Sequence, residues 1–443
     1  MRANRPLLAV PARLTRPALL LVTIALAACS ASPGPVALQP TRAPAEPARP
    51  TAPAPSTTPT PTATPAPTST PTATPAPTAT PAPTATPTPT GPGGLPYPLK
   101  TGALEFGVAA HLFYIGKVLP LRRANEAGFG WVRQQIHWKD IEGPRGRYAW
   151  GELDNVVAAV HAAKLKLLLS VVRSPSFYTA NGGSGMPKDP ARLGSFVAAL
   201  AKHYQGKVQA IEIWNEQNLA YENGGRVSID DAGHYVELLK EAYTRIKAVD
   251  PSIYVLAGPP ASTGVTKASV AVDDMSYYEA MYRYKGGMIR DYFDGQSVHP
   301  GGSANPPDTL WPDNPSTAKG WTDHPTFYFR HVEDVRELME TYGLADHQIW
   351  ITEFGWATPN SSRGFEFGNQ VSFERQAEYI VGAMRRTQEQ YPWVDAMFLW
   401  NLNYATIRAR SNEQASFSIL NGSGSPRPAF LAIQEYLAGL RGT

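Results

Sequence analysis

Cysteine is all but absent: the 443 residues contain one, Cys29. That count excludes an internal disulfide framework and a zinc–thiolate cluster. Net charge is nearly absent as well. The formal value is +3, but Arg2, Arg5, Arg13 and Arg16 all stand in the first 29 residues with no acid among them. The remaining residues carry 36 basic and 37 acidic side chains, a balance of −1 that offers no electrostatic case for a nucleic-acid partner. Between Thr51 and Leu99 there is no charged residue at all, whereas 22 of the 43 prolines fall between Pro33 and Pro98. Such a stretch cannot bury enough apolar surface to offset its ordering entropy, so it reads as a disordered spacer. Residues 100–443 have ordinary globular composition, and that length admits one large domain, such as a closed α/β barrel, or two modest ones.

Long hydrophobic runs are missing too. The strongest, Pro17 to Leu26 (PALLLVTIAL), follows an Arg-bearing start and is too short to span a bilayer comfortably, which fits an export signal. It leads into Leu26-Ala27-Ala28-Cys29. Small residues before a lone cysteine resemble the bacterial lipobox, in which the thiol is acylated and the chain is cut before it; the alternative is an ordinary A-x-A cleavage with an incidental cysteine. Acylation of Cys29 would tether the chain to a membrane surface. The spacer repeats PTATPAP at 61–67 and 71–77. In polyproline II form, at about 3.1 Å per residue, roughly sixty such residues would hold a domain on the order of 150–200 Å from its anchor. Three regions follow: a signal over 1–29, a Pro/Thr-rich linker over 30–99, and a folded domain over 100–443.

In the folded region short apolar runs alternate with helical patterns. Strands are predicted at 104–110, 130–136, 166–172, 208–214, 253–258, 293–299, 348–353 and 395–400. Apolar spacing of 3.6 residues predicts helices over 152–163, 190–204, 231–249, 332–342 and 374–390. Eight strands with helices between them point to a (β/α)8 barrel. The rival is an open doubly wound sheet, but no G-x-G-x-x-G or phosphate-binding loop follows the first strand.

In a parallel barrel the chemistry sits where the strands end. The predicted ends offer His111, Arg133 with His137 and Trp138, Arg173, Asn215-Glu216, His299, Glu353 and Trp400-Asn401. Two glutamates, Glu216 and Glu353, thus end strands four and seven on opposite sides of one mouth. A single rim glutamate is commonly a salt-bridge partner. Two in aromatic-flanked runs, IEIWNEQN and IWITEFGW, fit glycoside hydrolysis: one carboxylic acid protonates the leaving oxygen while one carboxylate meets the oxocarbenium-like carbon.

Those two runs resemble the acid/base and nucleophile strands of clan A glycoside hydrolases, the superfamily that includes families 5 and 39. WVRQQIHWKDIEGPRGRYAW (131–150) is similar to their strand-two segment, and SPRPAFLAIQEYL resembles their last helix. The resemblance covers 104–440. It implies a retaining mechanism with Glu216 as general acid/base and Glu353 as nucleophile, helped by the cation of Arg133. It further implies that Asn215 bonds the sugar 2-hydroxyl and that Trp400 floors the cleaved sugar. His299, Trp138 and Trp356 are further candidate substrate contacts, although His299 could equally be structural and Trp138 could simply pack at the rim. Two departures stand out. Gln217 replaces the proline of the usual N-E-P, and His299-Pro300-Gly301 replaces an H-x-Y run whose tyrosine bonds the nucleophile.

His111 and His137 read as core-satisfied histidines, and no H-E-x-x-H or comparable spacing appears, so no metal and no cofactor are expected. The run 301–324, with Trp311 and Trp321, reads as an ordered loop that either covers the cleft or is pinned to the barrel. Together these features imply an exported, lipid-anchored, monomeric β-glycosidase with its catalytic domain extracellular or periplasmic. Its expected partner is a β-linked polysaccharide, attacked endo first and exo, as by a β-xylosidase, second. The non-enzymatic alternatives are a carbohydrate-binding pseudoenzyme and a wall-linking structural lipoprotein.

Overall fold

The computed structural model describes residues 104–180, 182–313 and 321–442. Residues 1–103, which hold the signal, Cys29 and the whole linker, together with Asn181, 314–320 and Thr443, lie outside the described residues. Eight parallel strands close into a barrel in chain order: β1 Glu105–Ala109, β2 Trp131–His137, β3 Lys166–Val172, β4 Ala210–Ile213, β5 Tyr254–Ala257, β6 Gly295–Val298, β7 Gln348–Phe354 and β8 Val394–Leu399. β8 returns to β1 with Glu105 opposite Ala396, so no sheet edge is left open. The (β/α)8 expectation holds.

The helices foreseen from apolar spacing form as Gly151–Ala162, Pro190–His203, Asp231–Val249, His331–Thr341 and Phe373–Gln390. Their starts are fixed locally. Asp189 accepts a hydrogen bond from the Ala191 N–H ahead of Pro190, and Ser372 accepts one from the Arg375 N–H. Val118–Ala127 and Asp274–Arg283 are also helical. Their buried faces are built from Pro120, Leu121, Ala124 and Ala127, and from tyrosines with Met281, so they lack the aliphatic repeat that marks the others. Among the described residues no helix is long and apolar enough to cross a membrane.

Inside the barrel, the two-residue period of the strands stacks inward side chains in layers. The lower layer is Trp131, Leu168, Ala210, Tyr254, Leu256, Trp350, Ala396 and Phe398. Trp350 lies flat on Tyr254, with ring centroids 5.0 Å apart, and meets Trp131 edge-on at 5.3 Å. Gly107 of β1 makes room for this plug, since a Cβ there would stand 2.4 Å from the Phe398 ring and 2.9 Å from Trp131 Cβ. Two residues beyond Trp131, Leu168, Ala210, Trp350 and Phe398 come Arg133, Ser170, Glu212, Thr352 and Trp400, joined by Ser297 of β6, all buried. A polar layer therefore rests on an aromatic plug that keeps water out from below. Buried polar groups must find partners or pay desolvation, so this layer has to be internally satisfied.

Candidate active site

The end of β4 carries the first glutamate in a constrained turn. Trp214 and Glu216 hold positive φ angles of 68° and 51°. For residues other than glycine such conformations cost about 1–3 kcal/mol each and persist only where the surroundings fix them. Here the Trp214 N–H donates to Val171 O at 3.0 Å and the Glu216 N–H donates to Pro259 O at 2.8 Å. The Tyr235 hydroxyl donates to Ile213 O and accepts from the Gly258 N–H, locking the ends of β4 and β5 together. Gln217, at the departure from N-E-P, donates through Nε2 to Gly258 O at 2.7 Å, which anchors the turn in another way.

Glu353 arrives on β7, and Arg133 of β2 joins the two sides. Its Nη1 donates to Glu353 Oε1 at 2.5 Å, while Nη2 donates to Glu212 Oε1 at 2.5 Å and Asn215 Oδ1 at 2.8 Å. Asn215 Nδ2 is buried with no hydrogen-bond partner among the described residues, a donor left over for a ligand. His299 stands between the glutamates, with Nδ1 3.3 Å from Glu216 Oε1 and 3.9 Å from Glu353 Oε2, and Nε2 3.1 Å from Thr352 Oγ1. One carboxylate oxygen from each glutamate and one His299 nitrogen all lie within 4.8 Å of one another.

The two carboxyls are electrostatically unequal. Burial pushes Glu216 up to about 7; Arg133 pulls it down and the charge of Glu212 raises it further. Burial also pushes Glu353 above the ordinary carboxylate range, but His299 and the contacting Arg133 oppose the rise. Burial lowers the His299 imidazole below its ordinary value, which favours the neutral ring near neutral pH.

The cleft above the glutamates is lined by His299, Pro300 to Ser303, Trp321, Phe327, Phe365, Phe367, Trp400, Glu413 and Phe417. Trp400 and His299 thus stand where the sequence placed them, and Arg133 and Asn215 lie directly behind the pair. Trp138 and Trp356 do not. Trp138 is fully buried, stacked between Tyr178 and Phe196 with its Nε1 donating to Glu142. Trp356 is likewise buried, with Nε1 donating to Asn305 O, and Gly302 packs on its ring. Both indoles are spent on packing, so the expectation that they contact substrate is corrected. The 301–324 run divides: Trp321 faces the cleft against Phe327 and Phe367, whereas Trp311 lines a separate depression with Met275, Tyr328 and His331. His111 packs edge-on against Tyr404, and His137 pairs with Asp140.

Sequence reasoning missed the wall formed by Phe365, Phe367, Phe417 and Glu413. These residues come from the connections after β7 and β8, where helical turns such as Glu366–Gln370 and Glu413–Phe417 are too short to show a period. Glu413 accepts from Ser362 Oγ at 3.0 Å, and its buried Oε1 has no partner among the described residues.

Glu216, His299 and Glu353 are compact enough to reach one cation. Arg133 occupies Glu353 Oε1 and His299 Nε2 is turned to Thr352, which leaves His299 Nδ1, Glu216 Oε1 and Glu353 Oε2 facing one another.

No family model matches the chain, and no curated protein matches it. Solved structures do. A family 39 glycoside hydrolase from the gut symbiont Bacteroides cellulosilyticus WH2 superposes with a TM-score of 0.57 at 19% identity, covering 78% of this chain and 66% of that one. A glucosidase from Croceicoccus marinus follows at 0.55 and 15%, covering 77% and 69%. GH5_18 from Streptomyces cattleya in complex with GlcNAc gives 0.54 and 15%, covering 76% and 81%. At these identities the likeness is one of fold, the closed (β/α)8 barrel.

Because folding raises the Glu216 carboxyl from 4.5 to about 7, the native state binds its proton more tightly than the unfolded chain. Its contribution to stability is present below about pH 4.5 and lost as pH rises through about 7. Glu216→Gln is therefore expected to match the native chain at pH 4 and to be more stable by about 3 kcal/mol at pH 8. Urea unfolding at the two pH values checks this, and equal midpoint differences at both would contradict it.

Proposed function

We propose that the chain is a retaining β-glycosidase that hydrolyses O-glycosidic bonds of a β-linked polysaccharide. The observation that carries this reading is the asymmetry of two facing glutamates. Glu353 has the Arg133 guanidinium 2.5 Å away, whereas Glu216 has no guanidinium or ammonium contact among the described residues and holds its proton to about pH 7. The first is suited to remain an anion and the second to remain an acid. Oxygens of the pair within 4.8 Å suit retention, since retaining pairs stand ~5–5.5 Å apart and inverting pairs ~6.5–9.5 Å, with a water between. The structural neighbours, which include a family 39 glycoside hydrolase, a glucosidase and a GH5_18 protein in complex with GlcNAc, support a saccharide substrate.

In this mechanism Glu216 donates its proton to the glycosidic oxygen while a Glu353 carboxylate oxygen bonds to the anomeric carbon. The C–O bond to the leaving sugar breaks, leaving a glycosyl ester on Glu353. Glu216, now ionised, takes a proton from water as that water attacks the anomeric carbon. The ester bond breaks and sugar of retained configuration departs. Asn215 Nδ2 would bond the 2-hydroxyl, and Trp400 would floor the ring. Glu413 Oε1 would accept from a further hydroxyl.

Endo-action is the first reading, because a tethered enzyme on a long spacer suits insoluble or surface polysaccharide. Exo-action is the second, favoured by the wall of Phe365, Phe367, Phe417 and Glu413 beside Trp400. Reducing-end release from β-glucans, mannans, xylans and bacterial exopolysaccharides tests the reading. Cleavage of one of them is expected, falling about 10²–10⁴-fold in Glu216→Gln. Retention on an affinity gel without cleavage would instead favour a binding protein. Lipid anchoring through Cys29 belongs to the same proposal. Cys29→Ser is expected to move the protein from the membrane fraction to the soluble one, and unchanged partitioning would contradict the anchor.

A further inference from the structure

Glu212 is the buried carboxyl for which the steps above have no use. It stands inward on β4, fully buried, with Oε1 2.5 Å from Arg133 Nη2 and Oε2 accepting from Ser297 Oγ at 2.9 Å. A buried ion pair is weak evidence for stability, since apolar residues of similar volume often serve the fold as well or better. What Glu212 does supply is geometry. A guanidinium is planar, so fixing Nη2 on Glu212 and Asn215 also fixes where Nη1 points, which is Glu353 Oε1. It supplies charge as well. One cation lies between two carboxylates, and without Glu212 the whole of it would act on the catalytic pair.

We propose that Glu212 is a positioning residue of this site: it fixes the Arg133 guanidinium so that Nη1 meets Glu353, and it shares the cation that the catalytic pair would otherwise hold alone. The inference rests on the glycosidase reading above. The groups that bear on Glu212 come from every neighbouring element. They are Arg133 of β2, Ser170 of β3, Ser297 of β6 with His299 beyond it, Glu353 of β7 and Glu216 beyond its own strand. The phenols Tyr235 and Tyr278 feel its charge from the helices behind β4 and β6. Burial works to raise the Glu212 carboxyl, but Arg133, His299 and hydrogen bonds from Arg133 and Ser170 outweigh it and hold it below the ordinary carboxylate range. Glu212 is then an anion throughout the range in which Glu216 titrates. Its charge raises both Glu216 and Glu353, while Arg133 lowers both. Replacing it by glutamine deletes the raising charge and leaves Arg133 unopposed, so both catalytic carboxyls should ionise at lower pH.

The test is a carboxyl ¹³C NMR titration of the full chain labelled at glutamate, in native form and as Glu212→Gln, with a pH–rate profile on any glycoside that is cleaved. In the native chain Glu212 is expected to stay ionised while Glu216 gains its proton. In the variant the Glu216 midpoint, and with it the alkaline limb of kcat/KM, is expected to fall by about half a pH unit to one unit. A Glu212 that titrates with or above Glu216 would overturn the proposal, and this native-chain readout needs no variant to fold. So would a folded variant whose Glu216 midpoint does not move, because a purely structural role lowers activity without displacing the profile. A chain that cleaves no glycoside would sink the glycosidase reading instead, with the titration still readable.

Discussion

The site depends on one guanidinium buried at the level where the barrel stops being a core and becomes a mouth. Arg133 is 1% exposed and touches Glu212, Asn215 and Glu353 at once. A cation so placed is tenable only among anions, and anions so placed are tenable only around a cation. Each partner explains the others. Removing the arginine would strand two carboxylates in a region where desolvation is expensive.

That arrangement draws its rigidity from below and its shape from above. Below, Trp131, Tyr254, Trp350 and Phe398 fill the barrel and hold β2 and β7 at a fixed distance. Above, the positive-φ turn at Glu216 is pinned by Pro259 O, and the loops after β6, β7 and β8 supply aromatic walls. Low dielectric inside the layer makes the Arg133 contact to Glu353 count for more than it would in water, and the absence of such a contact makes burial dominate at Glu216. The same fold thus yields two carboxyls of one residue type with opposite tasks.

Much of this could be read in the chain. The eight strands betray themselves as short apolar runs, and a parallel barrel then dictates that Glu216 and Glu353 meet at one end. Arg133 was legible as a charge within the second predicted strand, where the resemblance to clan A glycoside hydrolases sets a cation beside the nucleophile. Glu212 was not, although it lies in the same IEIWNEQN run, because alternation says only that it points inward and not which cation it meets. The tryptophans show the opposite failure. Trp138, Trp356 and Trp400 look alike in sequence, yet only Trp400 reaches the cleft, since aromatic rings serve core and sugar equally well. Glu413 and the phenylalanines after β7 and β8 were hidden because turns so short carry no period.

Arg133 divides the roles of the two glutamates, and a mechanism-based label tests that division most directly. The chain would be incubated with activated 2-deoxy-2-fluoro β-glycosides of the gluco, manno and xylo series, digested, and the modified peptide sequenced by mass spectrometry. A glycosyl ester on Glu353, within the WITEFGW run, is the expected result. A label on Glu216 or on any other residue would contradict the ordering of the two carboxyls by Arg133.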